Sequence, residues 1–151
     1  MIALGGCILM SSMTQRTVQS EQNSTNSLVG KICNSTYSYF DVREQKYKYK
    51  LRPVLIVGTE KDRLPCDITV LPVSKISRAE NISVEYDYPL TKINHGLLRL
   101  KNDPSYIRIH KISTIHSKDL SFQTDHQLNI LYPETYANIK GKLNDFVAKL
   151  G

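Results

Sequence analysis

The pattern of apolar and polar positions predicts a chain built mainly of short β-strands. Residues 29–40 and 66–73 carry apolar side chains at strand-like spacing, with Pro72 marking a break or an edge near the end of the second strand. Residues 53–58 form a continuous apolar run between a proline and a glycine, which is typical of a strand buried on both faces. Further strands are predicted over residues 82–86, 106–110 and 112–116.

Three regions depart from the strand pattern. Residues 1–27 end in a Ser-, Thr-, Gln- and Asn-rich stretch without apolar periodicity, which predicts a disordered N-terminal leader before a folded domain at residues 28–151. Residues 41–50 are polar and basic, and we expect an exposed loop or a hairpin tip there. Near the C-terminus, apolar residues recur at steps of three and four, which predicts an amphipathic helix with Pro133 in its first turn. Its apolar positions are Tyr132, Tyr136, Ile139, Leu143, Phe146, Val147 and Leu150.

Several short strands followed by one terminal helix predict a mainly β fold. The expected architecture is a small, strongly bent β-barrel with the helix packed on it. The chain has 151 residues, which suits one domain. Its formal net charge is +6, and a surplus of Lys and Arg favours polyanions such as nucleic acids as partners, although many basic proteins bind none.

Cysteine and histidine positions give no sign of a metal site. The three cysteines, Cys7, Cys33 and Cys66, are odd in number and far apart, which favours a reducing compartment over a disulfide framework. No Cys or His pair has the spacing of metal ligands, so we expect neither a metal nor a cofactor. The N-terminal apolar run lacks a basic segment and is too short to span a bilayer, so the expected location is the cytoplasm.

Candidate chemistry lies in three basic segments. Arg52 precedes Pro53, which keeps it extended at the start of the buried strand, where its guanidinium could hold a phosphate. Arg108 and His110 share one face of a predicted strand and could combine phosphate binding with proton transfer. From spacing alone, solvent-exposed polar residues explain both segments at least as well. In the third segment, cationic and aromatic side chains alternate: Lys46, Tyr47, Lys48, Tyr49 and Lys50. This pattern fits a surface that binds a nucleic-acid strand, and it fits a solvent-exposed run of charges equally well.

Five segments in order resemble the MazF/PemK family of toxins from type II toxin–antitoxin systems. The likeness covers about residues 28–150, and its best single match is the segment Arg52-Pro-Val-Leu-Ile-Val57. The other four are Val29-Gly30-Lys31-Ile32, Val70-Leu-Pro-Val-Ser-Lys75, Gly96-Leu-Leu-Arg-Leu100 and Pro104-Ser-Tyr-Ile-Arg-Ile-His-Lys-Ile-Ser-Thr-Ile115.

The resemblance implies an SH3-like barrel of the MazF/CcdB type that forms a homodimer. It also implies a metal-independent endoribonuclease, an mRNA interferase, that cuts single-stranded RNA at short sequences through attack by the 2′-OH. A cognate antitoxin would neutralise it. The implied catalytic residues are Arg52, Ser74 and Arg108, with His110 as the candidate acid or base. The candidate RNA-binding residues are Lys46, Lys48, Lys50, Lys111 and Thr114.

Some positions depart from the family pattern. His110 stands where some members have an acidic residue, and residues 111–114 replace a common Gln-x-Arg-Thr segment. Glu44 is farther from Arg52 than the family's loop glutamate is from its arginine. Two alternatives to the nuclease stay open. One is a binding module on the same barrel that inhibits a topoisomerase, which the cations expected on the outer helix face disfavour. The other is a protein that binds RNA without cutting it.

Overall fold

The computed structural model describes residues 24–151, except for the side chains of residues 122–125. Within that part of the chain, seven strands form one antiparallel sheet in the order β4-β5-β3-β2-β1-β7, and β6 pairs with β3. The mainly β, barrel-like architecture predicted from the sequence is confirmed. The strands are β1 Lys31–Asp41, β2 Lys46–Thr59, β3 Asp67–Ser74, β4 Asp87–Leu90, β5 Ser105–Arg108, β6 Ser113–His116 and β7 Leu120–Gln127.

Helices are short except at the C-terminus. Three α-helices occur in the described part of the chain: α1 Lys92–His95, α2 Leu128–Leu131 and α3 Pro133–Lys149. Single 3₁₀ turns connect several elements: Thr25–Leu28, Ala79–Asn81, Gly96–Leu98, Ile109–Lys111 and Ser117–Asp119. None of the described helices is long and apolar enough to cross a membrane.

Strand β3 lies at the centre of the sheet and changes partners along its length. Its first half pairs with β6, its last two residues pair with β5, and β2 pairs along its other edge. Pro72 lies between the last residue paired to β6 and the first paired to β5, while its other edge stays paired with Val54 of β2. The break predicted at Pro72 is therefore a change of partner on one edge of the strand.

The apolar run after Pro53 is buried on both faces, as predicted. Leu55 belongs to the core that also contains Leu71 and Ile139, whereas Val54 and Ile56 belong to a second core on the other side of the sheet. Successive side chains of a strand point to opposite faces, so one strand contributes to two cores only if both of its faces are covered. Cys33 and Cys66 are buried in the second core, and Cys7 lies outside the described residues.

The predicted C-terminal helix is present, with Pro133 at its start. Ile139 is fully buried, and Tyr132, Tyr136, Leu143 and Phe146 pack against the same core. The prediction is wrong for two positions, since Val147 is 51% exposed and Leu150 is 68% exposed. Phe146, in the same last turn, still packs on the core, so Val147 lies off the core-facing side, and Leu150 follows Lys149, the last helical residue.

Several predicted boundaries differ from the structure. The strand predicted over residues 106–110 is Ser105–Arg108, so His110 lies in the 3₁₀ turn after it and not on the same strand face as Arg108. Residues 82–86 were predicted as a strand but form a turn, and the strand follows at Asp87–Leu90, because Asp87 pairs with Arg108 in β5. Lys46–Thr59 is one strand, so residues 46–50 belong to a hairpin arm and only residues 42–45 form the tip. Residues 24–27, which we assigned to the leader, are ordered: Thr25 is buried and donates its backbone N–H to Asp62. The rest of the predicted leader lies outside the described residues.

Candidate active site

Arg52 and Ser74 lie on the neighbouring central strands β2 and β3 and form a wall shared by two cavities. The larger has a volume of about 600 Å³ and the smaller about 220 Å³, and both residues line both. Arg52 is in the middle of β2 and not at a strand entrance, because β2 continues its pairing with β1 toward the hairpin tip. Cross-strand pairing with Ser35 and Tyr106 fixes the positions of Arg52 and Ser74 respectively.

The larger cavity is strongly cationic. Of the described residues that line it, none is Asp or Glu, and Asn34, Asn102 and Ser77 supply neutral polar groups. Like charges that converge without a counter-charge favour an anion in the space between them. The basic side chains lining this cavity are Lys50, Arg52, Lys75, Arg99 and Lys101, with His126 beside them.

The smaller cavity brings together residues that are far apart in the sequence. Arg52 and Ser74 meet Arg108 and Lys111, which come from the end of β5 and the 3₁₀ turn after it. Tyr37 forms part of the opposite wall, and its hydroxyl is hydrogen-bonded to Ser113. Two guanidinium groups, an ammonium and a hydroxyl around a small space are the donors needed to hold one phosphate group.

Arg108 is held by a buried carboxylate. Its Nε donates to Asp87 Oδ1 at 3.0 Å, and Nη2 donates to Asp87 Oδ2 at 3.4 Å and to the carbonyl of Asn81 at 3.2 Å. The Asp87 side chain has no exposed surface and also accepts from the backbone N–H of Ser83 at 2.7 Å. The Nε edge of the guanidinium is therefore occupied by the protein.

His110 lies beside the same carboxylate. Its Nδ1 is 3.7 Å from Asp87 Oδ1, beyond hydrogen-bond distance, and this buried nitrogen has no hydrogen-bond partner among the described residues. Burial lowers the pKa of His110, and the charges of Arg108 and Lys111 lower it further, whereas Asp87 raises it. The lowered pKa favours the neutral imidazole, which is the form that accepts a proton. His110 lines neither of the two cavities.

A family model of PemK-like, MazF-like toxins of type II toxin–antitoxin systems matches residues 37–147, which is more than half of the chain. The chain belongs to this family. The matched range contains both cavities' arginines, Ser74 and the carboxylate of Asp87. A search of curated proteins finds no match for this PemK-like toxin.

The candidate RNA-binding residues of the toxin do not all lie at the cavities. Lys50 lines the larger cavity and Lys111 the smaller. Thr114 lies on β6 opposite Thr69 and lines neither. The remaining two candidates, Lys46 and Lys48, form ion pairs at the hairpin tip.

Acidic side chains at the hairpin tip pair with Lys46 and Lys48. Lys48 Nζ is 2.8 Å from both Asp41 Oδ2 and Glu44 Oε1, and Lys46 Nζ is 3.0 Å from Glu44 Oε2. These ion pairs raise the pKa of Lys48 and lower those of the two carboxyl groups. The pairs reduce the attraction that the hairpin tip exerts on an anion, so Lys50 is the lysine of this segment that faces a cationic cavity.

Sequence reasoning missed Asp87, Lys75, Arg99 and Lys101. The three cations follow or lie between short elements whose packing is not evident from periodicity. Asp87 lies outside every strand predicted from the sequence, and only the pairing of β4 with β5 places its carboxylate against Arg108. Among the side chains that the structure describes, no group of three or more His, Cys, Asp and Glu residues is arranged as a potential metal site.

Proposed function

We propose that this toxin is a metal-independent endoribonuclease that cleaves single-stranded RNA at short specific sequences. The observation that carries the proposal is the smaller cavity, where Arg52, Ser74, Arg108 and Lys111 converge from three separate segments. The larger cavity continues from the same wall and offers further cations for the flanking phosphates. A polyanion that enters both cavities keeps one phosphate beside Arg52 and Arg108.

The reaction that suits this arrangement is internal transfer at the phosphate. The 2′-oxygen loses its proton and bonds to phosphorus, and the bond from phosphorus to the 5′-oxygen breaks. The leaving oxygen takes up a proton, so the products are a 2′,3′-cyclic phosphate and a 5′-OH. Arg52 and Arg108 stabilise the extra negative charge of the pentacoordinate state, and Ser74 orients the phosphate or the ribose.

His110 is the proposed proton carrier. Burial lowers its pKa, which favours the neutral imidazole that accepts a proton. It lines neither cavity but lies between Arg108 and Lys111, which line the smaller one, so it would take up the 2′-OH proton through a water molecule. Its ring contacts Tyr86, whose centroid lies 6.0 Å away. Lys111, the next residue, lines the cavity and adds a positive charge close to the phosphate.

We also propose that the toxin works as a homodimer in the cytoplasm and is neutralised by a cognate antitoxin. Family membership supports an antitoxin partner. The ribbon formed by β1 and β2 extends beyond the other strands, and one of its faces carries exposed apolar side chains. A partner chain that covers this face would remove apolar surface from water. The exposed side chains are Phe40, Tyr47, Tyr49 and Leu51.

The nuclease proposal is tested with purified toxin and a long single-stranded RNA in the presence of EDTA. We expect cleavage into fragments whose 5′ ends accept phosphate from a polynucleotide kinase without prior phosphatase treatment. A 2′-O-methyl copy of the RNA should stay intact, because its 2′-oxygen carries no proton to lose. Arg52→Ala should abolish cleavage, whereas Lys118→Ala, at a residue that lines neither cavity, should not. Intact RNA with the natural protein would refute the proposal.

A further inference from the structure

Asp87 is buried in the sheet beside the proposed site without lining either cavity. It is the residue of β4 directly opposite Arg108 of β5, and its side chain has no exposed surface. A buried carboxylate is costly unless it is fully paired. Asp87 accepts from Arg108 and from the N–H of Ser83, and that N–H fixes the carboxylate from the turn before the strand.

We infer that Asp87 is a positioning residue that orients both Arg108 and His110 for the reaction. This inference rests on the proposed function of the site. Asp87 acts through the two side chains and does not touch the RNA itself.

Within the described part of the chain, one edge of the Arg108 guanidinium is bound by the protein and the other is not. Asp87 holds Nε and Nη2, and the carbonyl of Asn81 holds Nη2 a second time. Among the described residues, Nη1 has no such partner, and Arg108 lines the smaller cavity together with Arg52. A guanidinium has five N–H donors in a fixed plane, so fixing one edge determines where the other points. The Arg108 donors that remain available are presented to the phosphate.

The geometry at His110 involves the same oxygen. Asp87 Oδ1 accepts from Arg108 Nε and is also the closest carboxylate oxygen to the unpartnered Nδ1 of His110, at 3.7 Å. A small closure of the site would bring Nδ1–H into hydrogen-bond distance, as often happens when substrate binds. A proton held on Nδ1 leaves Nε2 as the nitrogen that accepts the proton of the 2′-OH.

The charges around His110 determine how removing Asp87 would change the pKa of His110. Asp87 from β4 favours the protonated imidazole, whereas Arg108 and Lys111 on either side oppose it. Tyr86, from the turn before β4, lies against the ring, and α3 packs on Tyr86 through Phe146 and Lys149. The Lys149 charge is paired with Glu85. Removing the Asp87 charge leaves His110 facing two cations.

The first test uses binding and does not depend on catalysis. The probe is a 2′-O-methyl RNA oligonucleotide of mixed sequence, whose affinity is measured by fluorescence anisotropy for the natural protein, Asp87→Asn, Arg108→Ala and the double variant. If Asp87 only added negative charge near the two cavities, removing its carboxylate would make RNA bind more tightly. Positioning predicts the opposite: about tenfold weaker binding for each single variant and little further loss in the double variant. Tighter binding of Asp87→Asn, or additive losses, would overturn the inference.

The second test uses cleavage. Asp87→Asn should lower kcat about 10- to 100-fold, and the losses of Asp87→Asn and Arg108→Ala should again be strongly non-additive. NMR titration of His110 should show a lower pKa in Asp87→Asn than in the natural protein. Asp67→Asn is the matched control, since Asp67 is a strand carboxylate opposite His116 but lines neither cavity. Retained kcat in a folded Asp87→Asn protein would overturn the assignment.

Outcomes for the two proposals can be told apart. If the natural protein does not cleave RNA, the nuclease proposal fails, and the binding cycle and the His110 titration still decide the role of Asp87. If Asp87→Asn does not fold, Asp87→Glu retains the charge and the acceptor but displaces them by one methylene group. A folded Asp87→Glu protein with unchanged kcat and RNA affinity would then overturn the inference.

Discussion

The cationic cavity predicts a steep dependence of RNA affinity on salt. Five basic side chains line it: Lys50, Arg52, Lys75, Arg99 and Lys101. Each phosphate neutralised on a single strand releases counterions and contributes about 0.7 to the slope of log affinity against log salt concentration. If all five contact phosphates, the slope is about −3.5, so a rise from about 50 to 200 mM salt weakens binding roughly 100-fold.

The assay is fluorescence anisotropy with the uncleavable 2′-O-methyl oligonucleotide at four or more salt concentrations. Lys101→Ala should flatten the slope by about 0.7, because it removes one phosphate contact. Lys118→Ala, at a residue outside both cavities, should leave the slope unchanged. A slope near −1 for the natural protein, or equal slopes for Lys101→Ala and the natural protein, would refute the assignment of this cavity to RNA.

Three further predictions concern catalysis and stability. Arg52→Ala should lower kcat/KM for RNA about 100- to 1000-fold, and Arg52→Lys should restore little of it, since an ammonium lacks the planar fork of donors. Activity of Arg52→Lys close to that of the natural protein would contradict this. Gly30→Ala should lower the free energy of unfolding by about 1–3 kcal/mol in urea denaturation, because φ is +92° and a Cβ would collide with the side chain of Asn129. Gly141→Ala, on the open surface of the helix, should raise it by about 0.5–1 kcal/mol. Burial lowers the pKa of His95, so the stability that the neutral side chain contributes is complete above the ordinary pKa of 6.5 and is lost as the pH falls below it. His95→Gln should therefore reduce the difference in the free energy of unfolding between pH 7.5 and pH 5.5. An undiminished difference would show that His95 is not the group responsible.

The sequence by itself determined the elements whose pattern is local. The apolar run after Pro53 could only be a strand covered on both faces, and the spacing from Tyr132 to Phe146 could only pack as one helix face. The alternation around Arg108 is confirmed only in part, because Ile107 is fully buried on β5 but the strand ends at Arg108, and Ile109 and His110 lie in the 3₁₀ turn that follows. Such periodicities follow from side-chain direction within a single element, so they need no knowledge of neighbours.

Tertiary structure decided which charged residues act together. Lys46, Lys48 and Lys50 are equivalent in the sequence pattern, yet hairpin closure pairs the first two with Asp41 and Glu44 and leaves Lys50 at the cavity. Val147 and Leu150 satisfy the helical spacing, but both side chains are more than half exposed in the folded chain.

Asp87 shows the same limit most clearly. Nothing in its own segment marks it as functional, because its role depends on lying directly opposite Arg108 across two strands. Burial and charge pairing are properties of groups that meet in space. A single sequence therefore specifies where strands and helices form, whereas the sheet register determines which carboxylate faces which guanidinium.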